Sequence, residues 1–382
     1  MKKKHFETII VGGGISGLSC GRRLQDAGKN FMLITEVLGG RTLSSDSFGT
    51  TYGADYITED YKHVLKYVGK KKWFYKLKDY YFFDDKKYTN VYSIKNLKYL
   101  PRMIKFFLIG NKVRKSFIKY RKLAPYKSIK ECFERDPILL KYWRMSAKEF
   151  IKKYRLEYLD KVYGNPVTTA TMFAGSDKVN AAYFMGMFLP VVVKTWGADF
   201  TNTVKKLTKG YENKIVTGKV TKVKKKGEGY EVRSNKGTFT ADSIVLAAPQ
   251  AHLAKVYPVP KPYMQAEIYT FHIKGVRLKK YQGKKVIFFR KGMELAQIGR
   301  MTDGTDKTYS KSAKPDFKKF YKSYKVIKKV HWKPATIIPK KELIEQKLDK
   351  NLYLASDYNI SSLEDSFLTG LYAANQIIGV KR

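Results

Sequence analysis

The chain has 382 residues, a length that can bury a sizeable core and indicates two interleaved domains, and its hydrophobic fraction of 43% excludes a disordered polypeptide. Two cysteines, Cys20 and Cys132, give no disulfide framework, so we expect a reducing, cytoplasmic environment. The formal net charge of +43 attracts polyanions and phosphorylated surfaces at long range.

The first predicted unit is a strand, a glycine-rich turn and a helix. A β-branched run over residues 8–11 leads into Gly12-x-Gly14-x-x-Gly17. Gly12 permits the tight turn, Gly14 lets the backbone approach a pyrophosphate, and Gly17 allows close packing of helix on strand. Phosphates would lie at the N-terminus of the helix. By itself, the motif is equally typical of NAD binding or of a plain strand–helix turn.

The second unit is a buried strand over residues 31–35, followed by the acid Glu36. An acidic side chain about twenty residues after the glycines accepts hydrogen bonds from an adenosine ribose. Glu36 is also compatible with an ordinary exposed loop acid. The next elements are Gly39-Gly40-Arg41-Thr42 and Gly53-Ala54-Asp55-Tyr56.

Further strands are predicted in the middle and near the end of the chain. Residues 216–223, 230–233 and 241–249 have strand patterns. Near the C-terminus, a strand over 351–357 ends in Asp357, and a helix is predicted to begin near Ser362.

Taken in this order, these elements resemble the flavin-containing amine oxidase superfamily, which includes amine oxidases, protoporphyrinogen oxidases and phytoene-type desaturases. The resemblance implies an α/β fold: a Rossmann-like FAD/NAD(P)-binding domain with a discontinuous α+β substrate domain. The FAD-binding domain would comprise 1–60, 200–260 and 345–382. The substrate domain would comprise 61–199 and 261–344.

The resemblance also implies FAD as cofactor and a role for each matching residue. Arg41 would contact the phosphates, Val220 the adenine, and the backbone of 53–56 the isoalloxazine. Asp357 would bind the ribityl or pyrophosphate part, and the helix from Ser362 would direct N–H groups at the flavin edge that becomes negative on reduction. The full set of predicted cofactor residues is Gly12, Gly14, Ile15, Ser16, Gly17, Glu36, Gly40, Arg41, Gly53, Ala54, Asp55, Val220, Ala247, Asp357, Ser362 and Leu363.

Three features depart from the amine oxidase pattern. Tyr269 stands near the place where a substrate-domain strand of that branch usually carries a lysine close to flavin N5. Tyr358 is the one aromatic residue where an aromatic cage is expected, and Asp365 replaces a glycine. The closing motif is closer to the desaturase and porphyrinogen oxidase branches, and no catalytic side chain is assigned.

The histidines show no metal-ligand spacing, so no metal is expected. His272 lies on a predicted cavity strand, where a proton relay and a buried structural role are both open, the second being commoner.

A basic segment lies between Asp85 and Glu131, which bound a window without any acidic residue. Residues 101–122 predict one or two basic amphipathic helices. An interfacial helix on an anionic membrane surface, a core-facing helix of the cap domain, and a solvated face are all compatible with this pattern. Interleaved Tyr and Phe leave nucleic acid as a less favoured partner.

The sequence therefore predicts an FAD-dependent oxidoreductase. It would transfer a hydride equivalent from a small-molecule or lipophilic substrate, by C–N or C–C dehydrogenation, to flavin N5. The alternatives are a flavoprotein bound to nucleic acid and a non-catalytic scaffold that retains the fold. We expect a cytoplasmic protein, with peripheral membrane association open, because the apolar stretch 181–193 is too short to span a bilayer.

Overall fold

An eight-stranded sheet contains the strands predicted at both ends of the chain. The computed structural model describes residues 4–42, 51–71, 77–84, 87–188, 193–261, 264–339 and 341–380. The sheet has the order β17-β18-β11-β1-β2-β8, and its central neighbours are parallel; β10 also pairs with β11, and β9 pairs with β10. Its strands are β1 (Lys4–Val11), β2 (Phe31–Thr35), β8 (Ile215–Thr217), β9 (Val220–Lys226), β10 (Gly229–Ser234), β11 (Gly237–Leu246), β17 (Lys347–Asp349) and β18 (Leu352–Leu354).

Two helices from opposite ends of the chain pack closely beside this sheet. They are α1 (Ile15–Asp26) and α11 (Leu363–Ile378). A Cβ on Gly370 would lie 2.0 Å from the Ser16 carbonyl oxygen. The hydroxyl of Ser19 donates to the Phe367 carbonyl at 2.8 Å. Because α11 approaches so closely, the first and last predicted motifs are held together.

A seven-stranded sheet of order β16-β12-β15-β14-β13-β5-β6 forms the second layer. Most of its neighbours are antiparallel, and β13 pairs with β5 in parallel. A three-stranded sheet of order β3-β7-β4 lies apart from it. The strands of these two sheets are β3 (Tyr56–Thr58), β4 (Gly69–Lys71), β5 (Tyr80–Phe83), β6 (Tyr88–Thr89), β7 (Thr195–Asp199), β12 (Met264–Arg277), β13 (Val286–Phe289), β14 (Leu295–Arg300), β15 (Asp306–Ser310) and β16 (Tyr321–Ile338).

The predicted basic segment forms a single helix, α2 (Leu100–Leu123), with proline in its first turn. One side of it, including Phe106, Val113 and Tyr120, is buried against a helical core around Trp143. In the described part of the chain, no helix is both long and apolar enough to cross a membrane. The other helices are α3 (Ile129–Glu134), α4 (Pro137–Arg144), α5 (Ala147–Tyr154), α6 (Glu157–Leu159), α7 (Asn165–Thr171), α8 (Ala181–Gly186), α9 (Thr203–Thr208) and α10 (Gln250–Val256).

The strands of the eight-stranded sheet come from three separate parts of the chain: 4–35, 215–246 and 347–354. On this basis we propose that the cofactor domain is discontinuous, over 1–60, 200–260 and 345–382. The remaining 61–199 and 261–344 would form the substrate domain.

Candidate functional site

One cavity of about 1070 Å³ extends from the eight-stranded sheet to the helical layer. Its wall includes the residues that follow the carboxyl ends of four strands, namely Gly12 after β1, Glu36 after β2, Ala247 after β11 and Asp357 after β18. Ligands of open α/β sheets bind at this edge. All the predicted cofactor residues except Gly17 line the cavity.

Two glycines of the turn have different roles: Gly17 allows close packing, and Gly14 leaves the backbone accessible from the cavity. A Cβ on Gly17 would lie 2.0 Å from the Gly12 carbonyl oxygen, so Gly17 is needed for packing. A Cβ on Gly14 would meet no atom within 4 Å and would enter the cavity. The first-turn N–H groups of α1 have no acceptor within their own helix. The turn therefore fits an anionic group that approaches the backbone at Gly14.

Thr35 stands at the end of β2 and holds this turn in place. Its hydroxyl accepts from the Gly13 N–H at 3.0 Å and donates to the Val37 carbonyl at 2.9 Å. Glu36 is half-exposed, and its carboxylate lies 3.5 Å from Lys219 Nζ. Val220 lies beside Lys219 and is buried. The ribose and adenine roles of Glu36 and Val220 stay predictions.

Arg41 and Asp357 form an ion pair in the cavity wall. The Arg41 Nη2 to Asp357 Oδ2 distance is 2.7 Å, and Arg41 Nη1 donates to the Ala335 carbonyl at 3.2 Å. The Ala54 N–H donates to the Arg41 carbonyl at 3.1 Å, and a Cβ on Gly53 would lie 1.9 Å from that same oxygen. These contacts bring the two short motifs around residues 40 and 53 together.

At the start of α11, Asp365 is paired with a residue that the sequence did not point to. Arg121 of α2 donates through Nε and Nη2 to its two carboxylate oxygens, at 3.0 and 2.8 Å. Ser362 caps the helix by accepting from the Asp365 N–H at 3.0 Å. Asp365 is fully buried, and both members of the pair line the cavity. The departure from the family glycine is thus compensated by a distant arginine.

A second ion pair joins the buried Lys307 to the partly buried Asp55. Lys307 of β15 contacts the Asp55 carboxylate and donates to the Thr51 carbonyl at 3.1 Å. The Tyr309 hydroxyl donates to Asp55 Oδ2 at 3.0 Å. The structure thus places a buried lysine against a cavity-lining residue, on β15 rather than on the segment around Tyr269.

His272 and Tyr269 lie on β12 and take no part in the Lys307–Asp55 ion pair. His272 is fully buried, with its ring nitrogens 3.2 Å from the Tyr52 hydroxyl and 2.7 Å from the Thr305 hydroxyl. Burial lowers the pKa of His272. Tyr269 stacks on His331 with ring centroids 4.2 Å apart. These contacts favour the structural role for His272.

The helical side of the cavity is apolar and aromatic, with Met103, Phe107, Phe117, Leu159, Phe173 and Phe288 in its wall. Asp160 is a polar exception. Its Oδ2 accepts from the Ser176 hydroxyl at 3.0 Å, whereas its buried Oδ1 has no hydrogen-bond partner. Burial raises the pKa of Asp160 to about 6. It begins a π-helical turn, Asp160–Gly164, a feature frequent at functional sites.

Within the described ranges, no group of three or more His, Cys, Asp or Glu side chains is arranged to hold a metal ion.

Comparison with known proteins gives a family and a fold. A sequence profile of the family described as flavin containing amine oxidoreductase matches residues 15–276, well over half of the chain. No curated protein sequence matches the chain.

The fold is similar to three solved structures. A redesigned putrescine oxidase has TM-score 0.73 and 12% identity over 99% of this chain and 100% of that one. A CLA-producing fatty acid isomerase from P. acnes has TM-score 0.67 and 13% identity, covering 98% of each chain. A cyclohexylamine oxidase from Brevibacterium oxydans IH-35A has TM-score 0.65 and 13% identity over 98% of this chain and 99% of that one.

Proposed function

Because the chain belongs to the flavin containing amine oxidoreductase family and uses FAD for oxidation, we propose that it dehydrogenates a lipophilic substrate at a C–N or C–C bond. The observation that carries this proposal is the continuity of one cavity, from the glycine turn at Gly14 to the aromatic wall around Phe107. Such a cavity has room for a cofactor and for an apolar substrate beside it.

The predicted cofactor residues fit FAD because Gly14 leaves open space at the N-terminus of a helix. Ile15, Ser16 and Arg41 would hold the pyrophosphate, and Asp357 would keep the Arg41 guanidinium oriented. Glu36 and Val220 would bind the adenosine.

The flavin ring would lie near 53–55 and 362–363, with the carboxylate of Asp55 held by Lys307. When bound, FAD supplies the acceptor for a hydride equivalent. The apolar wall excludes water from the reacting carbon and orients it.

The length of α2 that lines the cavity indicates an elongated substrate. Its cavity-facing residues run from Met103 to Arg121, about 27 Å along the helix axis. The first part of this face is apolar, through Phe106, Phe107 and Val113. A long hydrocarbon chain matches that shape and surface.

The charges favour a neutral substrate over a cationic amine. Glu36, Asp55, Asp357 and Asp365 all face cations already, at Lys219, Lys307, Arg41 and Arg121. The cavity-lining Asp60 is paired with Arg114 at 2.7 Å. The remaining acid of the described lining is Asp160, and burial raises its pKa to about 6. The net charge of +43 adds repulsion of cations.

The first experiment is anaerobic reduction of the FAD-loaded protein, followed by visible absorption. We expect bleaching by neutral long-chain donors and not by putrescine or cyclohexylamine. Bleaching by the amines alone would overturn the substrate class. Protein that binds FAD and is bleached by no donor would favour the non-catalytic scaffold.

The second experiment tests the cofactor position with Gly14→Asp. Since a Cβ at Gly14 would meet no atom within 4 Å, we expect no loss of thermal stability in the cofactor-free protein and loss of stoichiometric FAD. The matched control is Gly186→Asp, because Gly186 also lines the cavity with open space around it, on the helical side. It should retain FAD. Stoichiometric FAD in Gly14→Asp protein would contradict the proposed site.

A further inference from the structure

A stretch of large apolar side chains is exposed immediately before and within the first turns of α2. Of the thirteen exposed large hydrophobic residues in the described ranges, six lie between positions 92 and 108. We call these six the apolar ridge: Tyr92, Ile94, Leu97, Leu100, Ile104 and Leu108, exposed by 65, 83, 64, 47, 52 and 61%. Scattered single residues of this kind are normal on protein surfaces, whereas a cluster indicates an interaction site.

Cations are interleaved with the ridge. Lys95, Lys98, Arg102 and Lys105 are all exposed, and the acid-free window of the sequence covers the whole ridge. On the neighbouring helix α6, Glu157 is exposed and is outnumbered by these cations.

The ring contacts and hydrogen bonds at the base of the ridge fix its position. Tyr99 stacks on Tyr158 with ring centroids 4.3 Å apart. Arg102 Nη1 donates to the Arg155 carbonyl at 3.2 Å, and Lys105 Nζ lies 5.3 Å from the centre of the Tyr154 ring. The ridge is therefore held against α5 and α6, while its aliphatic side chains stay exposed to solvent.

The side chains of the ridge match a lipid surface better than a nucleic acid. All ridge residues except Tyr92 are aliphatic, so they offer no face on which bases stack and no hydrogen bond to a base edge. Tyr99 is already stacked within the protein. Aliphatic side chains beside lysines and arginines are what an interfacial helix presents to acyl chains and anionic head groups.

We propose that the apolar ridge docks on an anionic lipid bilayer. Resting on the proposed function, this placement also gives the substrate a route, because α2 carries part of the ridge on one face and lines the cavity with another. Ile104 and Leu108 face outward, whereas Met103 and Phe107 line the cavity. Tyr92 is exposed and also lines the cavity, which places a mouth of the cavity at the ridge. A lipophilic substrate then enters from the bilayer without crossing bulk water.

The test is co-sedimentation of the FAD-loaded protein with two kinds of vesicle, phosphatidylcholine alone and phosphatidylcholine mixed with phosphatidylglycerol. The ridge variant is Ile94→Gln/Leu97→Gln. The matched control is Val276→Gln/Val326→Gln, which replaces two exposed valines of the β12–β16 ribbon. We expect wild type and control to bind the anionic vesicles, and the ridge variant to bind at least about tenfold more weakly.

Two readouts separate this proposal from the proposed function. FAD content and bleaching by a detergent-dispersed donor should be the same in all three proteins, whatever happens to vesicle binding. Equal vesicle binding by wild type and ridge variant overturns the docking surface, and so does tight binding to single-stranded RNA that anionic vesicles fail to displace.

An Ile94→Trp variant checks insertion directly. Its added emission should shift to the blue and be quenched by brominated lipids. Unchanged emission in the presence of bound vesicles would mean adsorption by charge alone and would overturn the role of the apolar side chains.

Discussion

The cofactor end and the substrate end of the cavity differ in how their walls are formed. At the cofactor end the wall includes backbone exposed by four glycines, 12, 14, 40 and 53, where side chains would collide or block access. At the substrate end the wall is side chains from α2, α7, α8, β5 and β13, held by packing. A backbone wall constrains sequence tightly at a few positions, whereas a side-chain wall can be repacked in many ways. The cofactor end should therefore tolerate substitution poorly and the substrate end well.

The largest expected effect is at the junction of the two ends. Asp365→Ala leaves the guanidinium of Arg121 buried without its partner, since the Asp365 side chain is fully buried. Breaking a buried pair in this way costs roughly 3–5 kcal/mol in the free energy of unfolding. Denaturant unfolding of the cofactor-free protein measures it.

The double variant Arg121→Leu/Asp365→Ala is the control for this prediction. Because it removes both charges, we expect it to recover most of the lost stability. A double variant less stable than Asp365→Ala would mean that Arg121 stabilises α2 through other contacts.

The next effect tests the close packing that supports the glycine turn at the cofactor end, where Gly17 packs against Gly12 without lining the cavity. In Gly17→Ala, the added methyl group would collide with the Gly12 carbonyl oxygen at 2.0 Å, so helix and turn must separate. We expect a loss of about 3 kcal/mol in the free energy of unfolding, at the upper end of overpacking costs. Gly110→Ala is the comparison at the substrate end, where the nearest atom is 4.0 Å away and helix propensity gives a small gain. If Gly17→Ala and Gly110→Ala lost equal free energy of unfolding, the two ends of the cavity would not differ in their tolerance of substitution.

The smallest effect is a pH dependence at the substrate end. Burial raises the pKa of Asp160 to about 6 in the folded chain, while an unfolded aspartate titrates near pH 4, roughly its unperturbed value. The folded state therefore holds a proton that the unfolded state releases. Stability from this group should be present below about pH 4 and lost as pH rises towards about 6, by about 2 kcal/mol, because two pKa units correspond to about 2.7 kcal/mol and the partly exposed side chain is screened by water.

Asp160→Asn is the matched control, because it removes the titrating group and keeps the shape. The difference in unfolding free energy between wild type and this variant, measured across that pH range, isolates Asp160 from the other carboxylates. A difference that does not change with pH would mean that Asp160 is hydrated in the folded protein.

Local signals in the sequence gave a good account of the cofactor end. The strand predicted over 31–35 is β2 with the same bounds, and the helix predicted near Ser362 has Ser362 as its cap. Both depend on neighbours in sequence, namely a buried β-branched run and a hydroxyl before a helix. The FAD cofactor and the fold class are confirmed by the family profile and the structural comparisons.

The sequence could not reveal the two ion pairs that connect distant elements to the cofactor end. Arg121 and Asp365 are 244 positions apart, and Lys307 and Asp55 are 252 apart. No periodicity connects such residues, because the packing of α2 and β15 against the cofactor end brings them together. The resemblance predicts a lysine near Tyr269, whereas the buried Lys307 stands on the adjacent strand β15.

The lysines of the long strand β16 suggest a second role for the positive charge of the chain, besides attraction of anionic surfaces. It lies at one end of the seven-stranded sheet, and Lys322, Lys325, Lys328, Lys329 and Lys333 are exposed along it. An edge strand that is largely exposed over residues 322–333 is a template on which another chain can add a strand. Lysines at such an edge would bring like charges together in any edge-to-edge pair. Part of the positive charge thus acts as protection against fibrillar self-association, and that protection weakens as salt screens the repulsion.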